Sequence, residues 1–95
     1  MISFIVPAHN EERLLGRCLG SIRNSMNELG KPYELIVVDD ASTDGTGRIG
    51  LEYQSKLLKV DLRNIAAVRN AGARVSCGQV LFFVDADTVA NPRAI

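Results

Sequence analysis

The sequence has no excess of charge of either sign, because its 11 lysine and arginine residues equal its 11 aspartate and glutamate residues. A protein that binds nucleic acid needs a basic surface to neutralise phosphates, so this balance gives that class no support. A protein that binds a membrane surface normally carries a cationic face, which a net charge of zero does not supply. The composition instead indicates a globular chain, since 46% of its residues are hydrophobic.

Cysteines and long apolar runs are scarce as well. Cys18 and Cys77 do not form a CxxC pair, so we expect free thiols in a reducing compartment and no metal bound by them. No apolar run approaches the ~20 residues that cross a bilayer, and residues 1–7 lack the basic start of a signal peptide. We therefore expect a cytoplasmic location, with any membrane attachment in another part of the full-length protein.

Four short apolar runs alternate with longer stretches of helical periodicity. This alternation predicts an α/β fold with a doubly wound, mainly parallel sheet, in one domain over residues 1–95. The second and fourth runs are continuously apolar, which predicts strands buried on both faces, and Phe82 and Phe83 are predicted core residues. The four runs occupy residues 2–7, 34–39, 57–62 and 80–85.

Helices are predicted between these runs. Apolar residues recur at helical spacing over residues 14–29, and Asn10 is placed to cap that helix. Ser42 and Asp44 are the predicted caps of the second helix. The further predicted helices run from about residue 44 to 54, over residues 65–76 and onward from residues 91–92.

Acidic side chains follow the ends of three of the predicted strands. In open α/β sheets ligands bind outside the carboxyl ends of the strands, so these acids should share one rim. They would repel each other without a cation among them, and loop carboxylates suit a hard cation such as Mg²⁺ or Mn²⁺ together with phosphate oxygens. The acids are Glu11, Asp39, Asp40, Asp85 and Asp87.

Four segments in this order resemble the family 2 glycosyltransferases, whose fold is the Rossmann-like type called GT-A. The resemblance implies a sheet with strand order 3-2-1-4 and a site for a nucleoside diphosphate sugar of the UDP or GDP type. The segments are residues 3–12 (SFIVPAHNEE), 35–46 (LIVVDDASTDGT), 64–78, which contain AVRNAG, and 82–88 (FFVDADT).

The resemblance also implies roles for individual residues near the nucleotide. Pro7 and His9 match positions that line the base, where an aromatic side chain commonly stacks and an imidazole can do the same. Glu11 matches an acid of the first loop, and Asp40 matches the acid that accepts a hydrogen bond from the base. Arg69 matches a basic residue near the base and the phosphates, although a solvent-exposed ion pair on a helix also fits its sequence position.

The DxD motif completes the expected donor site. Asp85 matches the acid near the ribose, and Asp87 matches the acid that holds the metal on the diphosphate. The family generally inverts the anomeric centre with a carboxylate base that lies beyond the DxD motif, so we expect this base beyond Ile95. The acceptor, whether a sugar, a lipid carrier or a protein, stays open. If the domain is truncated at its C-terminus, as the resemblance implies, its uncovered surface favours self-association.

Three alternative functions fit parts of the sequence. Residues 45–50 match GxGxxG and Asp61 follows them, as in dinucleotide-binding modules, but that fingerprint needs its first glycine directly after a strand. Asp85 begins a motif that resembles the nucleophile motif of haloacid-dehalogenase-like phosphatases, which normally closes the first strand. The isolated chain could also bind a nucleotide without catalysing transfer. Metal-dependent nucleotide binding, a trapped aspartyl phosphate and metal-free NAD binding would distinguish these functions.

Overall fold

A computed structural model describes residues 1–89 of the chain, and the predicted helix start at residues 91–92 lies outside them. Strands and helices alternate through this part of the chain, as the sequence predicts. In chain order the elements are β1 (Ile2–Ala8), α1 (Leu15–Leu29), β2 (Tyr33–Asp40), α2 (Thr46–Glu52), β3 (Lys56–Val60), α3 (Ile65–Val75) and β4 (Val80–Phe83).

The strands form one parallel sheet in the order β3-β2-β1-β4, which confirms the predicted fold class and strand order. β2 pairs with one edge of β1, and β3 lies beyond β2. The chain then returns, and β4 pairs with the other edge of β1. The strand order therefore reverses at β1. The carboxyl ends of β1 and β4 lie side by side there, so their loops enclose a crevice.

The central strands β1 and β2 alternate their side chains between two cores, as the period of two in a strand requires. Phe4, Val6, Leu35 and Val37 pack on one face against the apolar stripe of α1 and against residues of α2. Ile5, Ile36 and Val38 pack on the other face against Val68 of α3. The sheet therefore has helices on both faces, and its two middle strands are held rigidly beneath the loops at their carboxyl ends.

The burial predicted for the fourth strand is wrong. β4 is an edge strand in the described part of the chain, where Val80 is 50% exposed and Phe83 is 46% exposed. Phe82 alone reaches a core, and its ring stacks on that of Phe4 with centroids 5.6 Å apart. A continuous apolar run therefore predicts a strand here but does not predict its burial.

The predicted helix caps also need correction. α1 begins at Leu15 with Leu14 as its N-cap, and within residues 1–89 no side chain caps it. Asn10 stands outside the helix with a positive φ of 52°, and it bonds to the loop that follows β2. α2 begins at Thr46 with Gly45 as its N-cap, so Ser42 lies outside its first turn, whereas Asp44 Oδ1 accepts from the first helical amide, Thr46 N. The two other differences are small, since β3 and α3 match their predicted positions to within about two residues, which is ordinary for element ends.

Both cysteines are free, with Cys18 buried in the first core and Cys77 exposed. The predicted free thiols are therefore confirmed. Within residues 1–89 no helix is both long enough and apolar enough to cross a membrane.

Candidate functional site

A pocket of about 370 Å³ lies at the carboxyl ends of the strands, where the strand order reverses. It brings together six of the seven residues that the sequence assigned to the donor site, and Arg69 lies beside it. Its lining consists of Pro7, Ala8, His9, Glu11, Asp40, Arg63, Asn64, Ile65, Val68, Asp85, Ala86 and Asp87. Acids therefore gather at this rim, as predicted from the ends of the strands.

His9 is oriented by the neighbouring strand. Its Nδ1 lies 2.5 Å from the backbone oxygen of Asp40. A carbonyl oxygen can only accept, so Nδ1 carries the proton and donates this hydrogen bond. In the neutral ring Nε2 is then the acceptor, which suits the Asn10 Nδ2 donor at 3.5 Å. These contacts hold the ring in one orientation at the wall of the pocket.

Asp40 is nearly buried, with 8% of its surface exposed, and it also lines the pocket. Its Oδ1 accepts a hydrogen bond from Leu62 N at 2.8 Å, and its Oδ2 accepts one from Arg63 N at 3.1 Å. Arg63 has a φ of 50°, an uncommon left-handed conformation for a residue with a Cβ atom. Asp40 therefore holds the turn after β3 in place, in addition to facing the pocket.

Asp39 does not line the pocket, in contrast to its neighbour. It is 6% exposed and its Oδ1 accepts a hydrogen bond from Ser42 N at 3.2 Å. The expectation of five acids on one rim is therefore wrong for Asp39, which organises the loop after β2. Period-two alternation explains this, because adjacent residues of a strand point to opposite faces.

Arg69 approaches the pocket from α3 through an ion pair. Its Nη2 lies 3.8 Å from Asp85 Oδ1, while its Nε is buried with no hydrogen-bond partner among residues 1–89. Side-chain exposures of 43% for Arg69 and 71% for Asp85 make this pair a weak one in water. Its significance is positional, because it brings a guanidinium to the first acid of the DxD motif.

The two acids of the DxD motif act electrostatically on the core beneath them. Burial raises the pKa of the Cys18 thiol to about 11, and the carboxylates of Asp87 and Asp85 contribute to that rise. Cys18 Sγ donates to the backbone oxygen of Asp85 at 3.5 Å, so the thiol supports the loop that carries the motif. The thiol remains protonated and unreactive at neutral pH. The same negative potential favours a cation above the loop.

The chemistry of these donors fits a hard divalent cation. Asp85 and Asp87 are exposed, and within residues 1–89 the Asp87 carboxylate forms no hydrogen bond or ion pair. Those residues contain no group of three or more metal-ligating side chains. Mg²⁺ typically keeps several waters and uses only one or two protein carboxylates together with phosphate oxygens. Two exposed carboxylates at the edge of an open pocket therefore fit such an ion.

Six residues of the lining were not assigned to the site from the sequence, and three of them, Arg63, Asn64 and Ile65, follow β3. The third apolar run extends to residue 62 in the sequence, whereas β3 ends at Val60, so these residues follow a strand end that the pattern concealed. Asn64 Oδ1 accepts from Ala67 N at 3.0 Å and caps α3. Asn64 directly precedes the helical pattern that begins at Ile65, and asparagine is a preferred N-cap residue, so its position could have located this turn.

The GxGxxG segment has a structural role. Gly45 is the N-cap of α2 and stands five residues after the end of β2, so it does not form the tight turn of a dinucleotide site. A Cβ on Gly47 would lie 3.0 Å from Asp39 Oδ2, and one on Gly50 would lie 3.3 Å from Ser55 Oγ. These glycines allow α2 to pack closely against the sheet.

Comparison with known proteins gives a family. Residues 3–95 match the family described as "Glycosyl transferase family 2". Validoxylamine A glucosyltransferase of Streptomyces hygroscopicus subsp. jinggangensis (strain 5008) is 32% identical over 101 residues, which cover 100% of this chain and 24% of that protein. The poly(ribitol-phosphate) beta-glucosyltransferase of Bacillus spizizenii is 33% identical over 101 residues, which cover 99% of this chain and 16% of that protein.

Solved structures share the fold as well. The crystal structure of S. aureus TarS 1–349 in complex with UDP-GlcNAc has a TM-score of 0.81 and 29% identity, over 98% of this chain and 28% of that one. This chain thus spans between 16% and 28% of the length of these three proteins. The family match extends over nearly the whole sequence and agrees with the sheet order, so this chain belongs to family 2 of the glycosyl transferases.

Proposed function

We propose that this chain is the nucleotide-sugar-binding part of a glycosyltransferase, and that the donor occupies the pocket at the carboxyl ends of β1, β2 and β4. One observation carries this proposal: the pocket joins an acidic loop after β4 to the loops after β1 and β2. Support also comes from the TarS complex with UDP-GlcNAc and from the mannosyltransferase PcManGT of Pyrobaculum calidifontis in complex with GDP-Man and Mn²⁺.

The two ends of the pocket suit the two ends of a nucleoside diphosphate. Asp85 and Asp87 lie at the β4 end, where a cation can join the carboxylates to the diphosphate. At the other end the oriented His9 ring offers a stacking surface. Asp40 offers a nearly buried acceptor for an N–H group of the base. Pro7, near the end of β1, and Glu11, on the loop after it, also line the pocket.

A divalent cation, Mg²⁺ or Mn²⁺, is the proposed cofactor. When bound, it supplies Lewis-acid stabilisation of the negative charge that develops on the leaving diphosphate. Asp87 is its proposed ligand, because its carboxylate is exposed and carries no other bond within the described residues. Asp85 stands next to Arg69, so its charge is partly compensated and it suits a ribose hydroxyl. Arg69 adds positive charge near the phosphates.

The proposed reaction is inverting transfer to an acceptor hydroxyl. The acceptor oxygen forms a bond to the anomeric carbon, the bond from that carbon to the diphosphate oxygen breaks, and the nucleoside diphosphate leaves with the electron pair. A carboxylate base takes the hydroxyl proton. The part played by residues 1–89 is to bind and orient the donor, which lowers the entropic cost of the reacting geometry.

Calorimetric titration tests this function. UDP and then GDP are titrated into the chain with Mn²⁺ and again with EDTA, and metal-dependent binding of either is expected. Asp87→Asn should abolish the metal-dependent part of the binding. Glu28→Gln is the matched control, because it also removes one exposed carboxylate but lies near the end of α1. Equal affinity in Asp87→Asn and Glu28→Gln would remove Asp87 from the site.

A further inference from the structure

The loops after β1 and β2 are joined by a set of hydrogen bonds that the donor site does not explain. The backbone N–H groups of residues 10, 11 and 12 each donate a hydrogen bond to a side chain of the second loop. The accepting side chains are at positions 42, 44 and 46. We call this set the loop clasp. Its bonds run from Asn10 N to Ser42 Oγ at 2.9 Å, from Glu11 N to Thr46 Oγ1 at 2.9 Å and from Glu12 N to Asp44 Oδ2 at 3.3 Å.

Asn10 returns bonds in the opposite direction. Its Oδ1 accepts from Thr43 N at 2.8 Å and from Thr43 Oγ1 at 3.3 Å. Asn10 has a φ of 52°, a sparsely populated conformation that persists only when the surroundings hold it. The loop clasp supplies such surroundings, so the course of the loop after β1 is set by the loop after β2.

Thr46 is the buried centre of the loop clasp. It is fully buried, and its hydroxyl accepts from Glu11 N while donating to the carboxylate of Asp44. The hydrogen bond from Thr46 lowers the pKa of the Asp44 carboxyl, which is therefore ionised at neutral pH. A hydroxyl that donates to a carboxylate becomes a better acceptor for the second bond, so the two bonds support each other.

Helix capping accounts for only one bond of these side chains, the one from the first amide of α2 to Asp44. Gly45 is the N-cap of α2 and makes no side-chain cap bond itself. Asp44 Oδ1 accepts from Thr46 N, which closes a turn inside the loop, and its Oδ2 remains for Glu12 N. The alternation of polar residues at 42, 44 and 46 therefore matches the three amides of the first loop.

The loop clasp bears directly on the pocket, because His9 and Glu11 line it and flank Asn10 in sequence. We propose that Thr46, together with Asp44 and Asn10, is a positioning residue for the donor site, fixing the loop after β1 in its binding conformation before the ligand arrives. This inference rests on the proposed function. Preorganisation of a loop raises affinity by removing the entropic cost of ordering it on binding.

Nucleotide titration of three variants tests the inference. Thr46→Val keeps the shape and removes the hydroxyl, and it should weaken binding of UDP or GDP about 5- to 100-fold. Thr46→Ser keeps the hydroxyl and should restore most of the affinity. Ser55→Ala is the control, because Ser55 also has a buried hydroxyl, bonded to Gly50 O at 2.6 Å, but it lies just before β3 and does not line the pocket.

A purely structural role for Thr46 predicts a different pattern. Thr46→Val would then behave like Ser55→Ala, with a lower melting temperature and unchanged nucleotide affinity, and that result would overturn the inference. If Thr46→Val does not fold, Asn10→Gly takes its place, because glycine tolerates the positive φ while losing the bonds to Thr43. Weaker binding by folded Asn10→Gly supports the inference, and unchanged binding overturns it.

Amide hydrogen exchange separates failure of the loop clasp from failure of the proposed function. If the wild-type chain binds no nucleotide, the proposed function fails, while slow exchange at the amides of Glu11 and Glu12 still reports the clasp. Slow exchange in the wild type that becomes fast in Thr46→Val supports the positioning role. Fast exchange in both proteins overturns it.

Discussion

His9 Nδ1 donates a hydrogen bond of 2.5 Å to the backbone oxygen of Asp40, so the last residue of β2 orients the ring at the pocket wall. The bond joins the loop after β1 to the neighbouring strand. It uses the edge of the imidazole ring, so the faces of the ring remain available for stacking. A fixed ring loses little conformational freedom when a base stacks on it, which favours binding. Stacking and the hydrogen bond are therefore two separable contributions of one side chain.

Two substitutions at His9 separate these contributions. His9→Phe keeps an aromatic face and loses the Nδ1 donor, whereas His9→Asn can keep a donor and loses the face. If stacking is the role, His9→Asn should weaken nucleotide binding by ~1–3 kcal/mol and His9→Phe should weaken it much less. Calorimetric titration with UDP or GDP measures both. The reverse order would assign His9 to loop orientation instead of base contact.

Arg69 should contribute to binding through the phosphates. Its guanidinium lies 3.8 Å from Asp85 and is 43% exposed, so an anionic ligand can reach it. Arg69→Gln should weaken binding of UDP or GDP about tenfold while leaving the much weaker binding of the free nucleoside unchanged, because only the diphosphate carries charge. The wild-type affinity should also fall more steeply with salt than that of the variant.

Arg74→Gln is the control for this comparison. Arg74 is exposed and lies in the last turn of the same helix, at the end opposite the pocket. Arg74→Gln removes the same net charge as Arg69→Gln, so a general electrostatic effect would lower the nucleotide affinity equally in both variants. Equal losses would therefore contradict a local role for Arg69.

The fold could be predicted from the sequence because three local signals agree. Apolar runs of strand length alternate with helical periodicity, and the turns between them contain residues that break both patterns, so the order of elements was unambiguous. The burial of β4 could not be obtained in this way. Its four residues are all apolar, but an apolar run does not distinguish an edge strand from a central one. Within the described residues β4 has one neighbour and β2 has two, and this difference depends on the strand order.

The candidate site was predictable where a residue directly follows a strand. Pro7, Asp40 and Asp85 stand at or just beyond strand ends, and parallel topology alone brings such positions together. Arg63 and Asn10 were different. Their positive φ values arise from hydrogen bonds to residues more than 20 positions away in the chain, and local sequence patterns carry no record of such bonds.

Gly72 allows α3 to contact the sheet closely. A Cβ atom at this position would lie 2.5 Å from Ile5 Cγ2 and 2.9 Å from Val38 Cγ2, in the core beneath the pocket. Both neighbours are β-branched side chains on buried central strands, which cannot move aside easily. Gly72→Ala should therefore lower the free energy of unfolding by ~1–3 kcal/mol, because overpacking displaces the helix. Urea unfolding followed by circular dichroism measures the change.

Gly20→Ala in α1 provides the matched control. A Cβ there would meet Tyr53 at 3.5 Å, which is ordinary contact, and the helical propensity of alanine exceeds that of glycine by ~1 kcal/mol. We therefore expect opposite signs, with Gly20→Ala raising stability and Gly72→Ala lowering it. A stabilised Gly72→Ala would mean that α3 lies farther from the sheet than described.

Glu34 joins the strands at the end of the sheet opposite the pocket. Its Oε2 accepts from Ser3 Oγ and from Cys77 N, each at 2.6 Å, and its Oε1 lies 3.3 Å from Lys56 Nζ. Burial by itself would raise the pKa of this carboxyl. The bonds from Ser3 and Cys77 and the charge of Lys56 outweigh burial, so the pKa lies below the ordinary value of 4.5.

The lowered pKa of Glu34 predicts how stability changes with pH. Its stabilising contribution is complete above pH 4.5, the ordinary pKa, and is lost as the pH falls through the lower pKa of the folded state. Glu34→Gln cannot ionise and leaves two donors poorly matched, so it should cost ~1–3 kcal/mol at neutral pH. The difference in unfolding free energy between wild type and Glu34→Gln, measured by urea unfolding, should shrink as the pH falls from about 7 to about 3.

Glu28→Gln is the control, because Glu28 has an exposed carboxylate, and this substitution should have little effect across the same pH range. A stability difference for Glu34→Gln that does not change with pH would mean that packing, and not ionisation, explains the stabilisation.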